Sequence, residues 1–219
     1  DLQGTYTFRT LTPMQRPAEL GERDKLNIEE AEEWAAYENR RQNRDLIIDS
    51  VGGANYPPGV ISYNEFWYER GDQTVEDRRT SLIVFPANGR IPDLTETALE
   101  RRRQRATIAE LSLGPEARPY AERCLVTRTA GPPMQPGSYN LNVQFVQTKD
   151  HFMILNEMIH SARIVRMNAT HREGPALVWE GDSVGHWEND TLVIETKNFL
   201  KGTAFADSTP NMKLIERIT

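Results

Sequence analysis

From Asn140 onward the chain is strand and turn almost throughout. NLNVQFVQTKD, HFMILNEMIHSARIVRMN, ALVWEG, SVGHWEN, DTLVIETKNF and KLIERIT follow one another with no helical period between them. Strands joined by short connections, with no helix to carry the chain across a sheet, pair with their sequence neighbours as an antiparallel meander. Such a sheet buries its apolar face by curling. The expected fold is therefore mainly β: a lipocalin-like antiparallel β-barrel or curled meander of about seven to nine strands. The sharpest local signal is GHWENDTLVIETKNF, Gly185 to Phe199. Asn189 and Asp190 tolerate the positive φ of a two-residue hairpin turn, and the Thr, Val and Ile that follow suit a pleated strand. Strands are predicted over 184–188 and 191–196.

The first half supplies two peripheral helices. NIEEAEEWAAYENRRQNR predicts a helix from Asn27 to about Arg44, with Asn27 as cap, acidic residues at its positive end and arginines near the other. Its expected apolar stripe is Ile28, Ala31, Trp34 and Ala35. A second helix, Leu94 to about Leu111, opens at Thr95 and carries Arg101, Arg102, Arg103 and Arg105, read as a solvated face with local Glu partners. Thirteen Pro and 14 Gly without a period favour a loop-rich β protein. One domain over 1–219 is expected, residues 1–60 forming an extended arm and a helix packed on the barrel. The natural chain is expected to continue past Thr219, because KLIERIT has strand character and stops without a turn.

Several function classes lack their signatures. A net charge of −6 gives no global basic field, so no nucleic-acid partner is expected. No apolar run reaches the length of about 20 residues that spans a bilayer, so no membrane insertion is expected. Cys124 is the single cysteine, which rules out an intramolecular disulfide and a cysteine-rich zinc site. The four histidines form no metal-ligand spacing, and there is no nucleophile elbow, phosphate-binding glycine loop or dinucleotide fingerprint. Neither a metal nor an organic cofactor is expected.

The candidate chemistry lies in three segments. HFMILNEMIHSARIVRM reads as one strand that is apolar on both faces, with Phe152, Ile154, Asn156, Met158 and His160 on one and Glu157 on the other. A buried unpaired polar group costs about 1–3 kcal/mol, so Asn156, Glu157 and His160 need partners, and Arg163 follows closely. YNEFWYERG alternates Tyr63, Glu65 and Trp67 on one face of a second strand, giving a phenol, a carboxylate and an aromatic wall. RRTSLIVFP places Arg79 at the start of a third strand, where it could meet a substrate carboxylate or hold Glu65. Tyr139 opens a strand at a possible cavity rim, and Trp187 alternates with His186 and Glu188 so as to pack inward.

The segments RTSLIVFPANGRIPDLT, ERCL, NEMIHSARIVRM and GDSVGHWENDTLVIETKNF, in that order, resemble a large bacterial family of exported proteins. That family repeats an RTSLIV-x-P-x-x-GRIP segment, an ERC segment, an EMIH-x-x-R segment and a G-x-W-E-x-D-TLV hairpin. The resemblance implies a β-rich protein of the periplasm or the exterior, its signal peptide removed, and implies no particular activity. Asn189 departs from the glycine common in that hairpin turn.

The leading expectation from these residues is a cofactor-independent lyase, isomerase or hydratase acting on a small apolar or aromatic molecule in a barrel cavity. His160 would remove a proton, Glu157 or Glu65 would orient it or protonate a leaving group, and Tyr63 would donate a hydrogen bond. Arg79 or Arg163 would hold developing charge, Trp67 and Trp187 would wall the cavity, and Asn156 and Tyr139 would line it. The alternative is a non-catalytic lipocalin-like protein that binds a hydrophobic ligand. A homodimer is compatible with both.

Overall fold

The computed structural model describes residues 1–43, 45–46, 65–111, 114–127, 130–174, 179–200 and 205–219. The chain forms two compact units. The first comprises residues 1–7, 93–135 and 142–219, and the second residues 8–92 and 136–141.

The first unit carries a seven-stranded sheet: β1 (Gly4–Thr7), β2 (Asn142–Gln147), β3 (His151–Asn156), β4 (Ala162–Met167), β5 (Asp182–Glu188), β6 (Thr191–Lys197) and β7 (Leu214–Ile218). The strands lie side by side in chain order, so the fold is a curled meander, a half-barrel. The expected hairpin forms at Asn189 and Asp190, with Asn189 at φ 54° and Glu188 opposite Thr191. Every neighbouring pair is antiparallel except one. β4 and β5 run parallel, Val165 opposite Ser183 and Met167 opposite Gly185. A parallel pair needs a crossover, which falls between Met167 and Asp182 in the chain.

Alternation sorts the strands into two faces. Val143, Phe145, Phe152, Ile154, Val165, Leu192 and Ile194 are buried together on the inner face. The Phe145 and Phe152 rings lie 5.1 Å apart across β2 and β3. On the same face Arg163 of β4 donates two hydrogen bonds to the carboxylate of Glu216 on β7, Nη2 to Oε1 at 3.2 Å and Nη1 to Oε2. Those strands are three spacings apart, about 14 Å on a flat sheet. Glu216 is also out of register: the ladders continue the Arg163 row to residues 181, 198 and 212. On a flat sheet the two side chains could not meet. Curling and tilting the strands, as barrel closure demands, turns that diagonal into a short chord.

The helix α2 (Glu96–Glu110) belongs to this unit and opens with the Thr95 hydroxyl accepting from the Ala98 amide. Its basic run is largely structural. Arg101 donates to the Asp207 carbonyl, and Arg102 and Arg105 pair with the Asp207 carboxylate. Asp207 itself stands at φ 62° in the β6–β7 connection, so three arginines hold a left-handed turn.

The second unit has its own small core of Leu20, Leu26 and Ala31, with Trp34 packed against it. The helix α1 (Ile28–Gln42) starts at a capping box in which Asn27 accepts from the Glu30 amide and Glu30 accepts from the Asn27 amide. The buried side of α1 is Ala31, Ala35 and Glu38; Ile28, expected on the stripe, is exposed. Arg16, 6% exposed, anchors the unit without a carboxylate partner among the described residues. Its guanidinium donates to the Thr80 hydroxyl and to the carbonyls of Glu22 and Ala87. Its amide donates to the Gly89 carbonyl, and its own carbonyl accepts from Arg90. RTSLIVFPANGRIP is thus no strand. It is a loop folded round Arg16, with only the single bridge from Lys25 to Arg79. Gly89, at φ 68°, lies so close that an added Cβ would meet the Ser81 hydroxyl at 2.3 Å.

Because Arg163 is 2% and Glu216 13% exposed, removing one partner leaves a nearly desolvated charge. Glu216→Gln is expected to lower unfolding free energy by about 3–5 kcal/mol, whereas the double change Arg163→Met with Glu216→Leu recovers most of it. Urea denaturation of the three proteins measures this. A Glu216→Gln loss under about 1 kcal/mol would mean that the chord does not hold the curl.

Candidate functional site

The HFMILNEMIHSARIVRM segment is a hairpin rather than one strand. β3 ends at Asn156, residues 157–161 turn, and β4 begins at Ala162. Ile159 and His160 both adopt positive φ, 52° and 55°. A β-branched residue is strained there, and nothing in E-M-I-H-S announces a turn, so the local signal favoured a continuous strand. The consequence for the expected site is direct. Glu157 and His160 are exposed on the turn instead of buried in a strand. The Glu157 carboxylate accepts from the amide and the side chain of Asn142, at 3.2 and 2.9 Å, which pins the start of β2 to the turn. Asn156 does sit on the inner face at 1% exposure, its Nδ2 donating to the Ala130 carbonyl. Trp187 is half-buried opposite Leu192 on the same face.

The remaining candidates fall in the second unit. Glu65 and Trp67 lie in a 3₁₀ turn, Glu65–Trp67, and not in a strand. Glu65 pairs with Arg70 at 2.5 Å, while Trp67 is exposed with Phe66 edge-on to it. Arg79 is partly buried. It is bound through Nε and Nη2 by Asp77, whose carboxyl is kept below its ordinary value chiefly by that hydrogen bond. Tyr139 is exposed, and Tyr63 lies outside the described residues. The expected acid, base and aromatic wall are therefore divided between two units.

A different constellation gathers on the outer face, where β4 and β5 part. Their ladder covers only Val165–Met167 and Ser183–Gly185. Before it, the strands separate around a cleft of about 280 Å³ whose polar lining includes His151, Arg163, Arg166, Arg172, Glu180 and Asp182. Gly181 makes the entry to β5 possible. It sits at φ 79°, and a Cβ there would meet the Lys197 carbonyl at 2.7 Å.

Asp182, 6% exposed, is the centre of this arrangement. Its carboxylate accepts from Arg166 Nη2 at 2.9 and 3.0 Å, from the Arg172 amide at 2.9 Å, and meets His171 Nδ1 at 3.0 Å. Burial alone would raise its pKa. The hydrogen bonds from the Arg172 amide, Arg166 and His171 outweigh burial and hold the carboxyl below its ordinary 3.8. His171 Nε2 lies 3.1 Å from Glu195 Oε1, so the ring bridges two carboxylates, and its doubly protonated form donates to both. Glu195 in turn is held by Lys197 and Lys213 at 2.7 and 2.6 Å; these hydrogen bonds lower its pKa from 4.5 to about 2. Arg166, Asp182, His171, Glu195 and the two lysines form one connected row across β4, β5, β6 and the residues beside them.

Sequence reasoning missed this row. His171 stands in the irregular stretch NATHREGP, and its partners are 11 and 24 positions away. The available signal was the alternation of Asp182 and of Glu195 with Lys197 on neighbouring strands, which places all three on one face once the Asn189 turn fixes the register.

No known protein-family model, curated protein or solved structure matches the chain. Among the described residues no cluster of His, Cys, Asp and Glu could hold a metal ion, and no helix is long and apolar enough to cross a membrane.

Both carboxylates titrate below their unfolded values, so the stability they contribute is complete above about pH 5 and is lost as the pH falls through their folded values. Thermal melting from pH 7 down to pH 2 is expected to show a steep acid limb, and Glu195→Gln a shallower one. Parallel limbs for the two proteins would remove Glu195 from the linkage.

Proposed function

We propose that this chain is a non-catalytic binding module for a small molecule, seated in the cleft beside the parallel β4–β5 junction. The observation that carries the reading is the cleft itself, about 280 Å³ beside the short β4–β5 ladder and lined largely with polar side chains. A volume of that size suits a compact ligand. Ala162 and the half-exposed Ile164 add an apolar wall, so a ligand with an apolar body and a polar handle is favoured over a purely hydrophobic one.

The lyase, isomerase or hydratase alternative has less support. His160 and Glu157 are exposed on a turn where the carboxylate already serves Asn142. Both nitrogens of His171 are engaged by carboxylates of the row, 3.0 Å from Asp182 and 3.1 Å from Glu195. A catalytic form of the site would have to use His151, whose ring has no hydrogen-bond partner among the described residues. The motif resemblance supports an exported protein, periplasmic or secreted.

A fragment library screened against the uniformly ¹⁵N-labelled chain tests the reading. Binders are expected to shift the amides of Ile164, Gly181 and Ser183 saturably without being consumed. Hits that move only other amides, or conversion of a bound compound, would overturn it.

A further inference from the structure

We infer that the polar handle recognised by this cleft is a compact oxyanion, a carboxylate or a phosphate. The inference rests on the binding-module reading and follows from a count of hydrogen-bond capacity. Of the two acidic groups that line the cleft, Asp182 is saturated: its oxygens already serve Arg166, the Arg172 amide and His171. Glu180 accepts from the Ser161 hydroxyl through Oε1 at 3.0 Å, and its Oε2 has no partner among the described residues. The donors are far from saturated. A guanidinium carries five N–H groups. Arg166 spends only Nη2 on Asp182, leaving Nε and Nη1. The exposed Arg172 side chain has no partner among the described residues, and neither has the His151 ring. Arg163, which also lines the cleft, gives both Nη atoms to Glu216 and keeps a buried Nε without a partner.

The unspent donors, on Arg166, Arg172, His151 and Arg163, thus outnumber the unspent acceptors, which lie on Glu180. A ligand that supplies acceptors and negative charge completes the cleft, and one that supplies donors does not. Arginine also fixes the type of acceptor, because its planar fork matches two oxygens on one carbon or phosphorus atom. Arg166 and Asp182 matter to this in different ways. Asp182 holds Arg166 in place through one edge of the guanidinium, and the other edge stays available.

The experiment compares benzoate and inorganic phosphate with benzamide and benzylamine, by NMR titration of the full chain at constant ionic strength in chloride. Benzoate, phosphate or both are expected to shift the Ile164, Gly181 and Ser183 amides saturably, with benzylamine inert; which of the two binds identifies a carboxylate or a phosphate handle. Arg172→Glu, at an exposed position, is expected to weaken that binding at least tenfold and Arg172→Lys less. Should Arg172→Glu unfold, Arg172→Ala, checked by its amide spectrum, serves the same purpose with a smaller expected loss. Equal binding of benzamide and benzoate at the cleft would overturn the oxyanion class while leaving the binding module intact. An anion effect reproduced by chloride alone, or unchanged by Arg172→Glu, would overturn the class too. A cleft that no fragment of any charge perturbs would overturn both.

Discussion

The Arg163–Glu216 ion pair is the interaction on which the first unit depends. It joins β4 to β7 across the inner face, over the β5–β6 hairpin, and only a curled sheet brings its ends together. Hydrophobic burial drives the sheet to cover Phe152, Ile154 and Ile194, but burial is not directional and would accept several curvatures. A nearly desolvated charge pair with two parallel hydrogen bonds accepts few. The pair contributes little net stability against an apolar replacement and much specificity for one geometry. It also explains an arginine in the middle of an oily strand, the feature that made HSARIVRM look like part of an active site.

The outer face answers the same constraint with a different device. Where β4 and β5 run parallel, the antiparallel ladder that stitches every other junction is replaced by a short one, Val165–Met167 against Ser183–Gly185. The row Arg166–Asp182–His171–Glu195 spans this weaker seam and ties the crossover to it through the Arg172 amide. Each acid in the row is held by a cation on a neighbouring strand or by the crossover. The row is a stitch first, and the cleft beside it inherits a fixed set of donors.

Much of the fold was legible in the sequence because its signals are local. The Asn189 turn, the Asn27 and Thr95 caps and the alternation of Phe152, Ile154 and Asn156 each follow from one residue's conformational preference or from a period of two. The failures have equally specific causes. Ile159 and His160 adopt a left-handed turn that their side chains disfavour, so a hairpin read as a long strand. Arg16 captures the backbone of RTSLIVFPANGRIP from a distance, so a segment with strand composition became a loop. The Asp182–His171–Glu195 row depends on a crossover whose path no short-range pattern encodes. Of the residues expected to act together, Asn156, Arg163 and Trp187 share the inner face, while Glu157 and His160 stand exposed on the turn.

The parallel junction therefore connects topology to ligand chemistry. In a pure meander each strand edge is consumed by the next, and a cleft between neighbours does not arise. Reversing the direction of one step requires the chain to return between β4 and β5, and the two strands part outside their short ladder. Beside the apolar wall of Ala162 and Ile164, that opening faces solvent and needs hydrated polar groups, while the almost fully buried Asp182 needs a partner. Arginines satisfy both conditions. They neutralise the buried carboxylate with one edge and present the other outward, and a seam closed in that way has an anion-accepting surface as a consequence of its own repair.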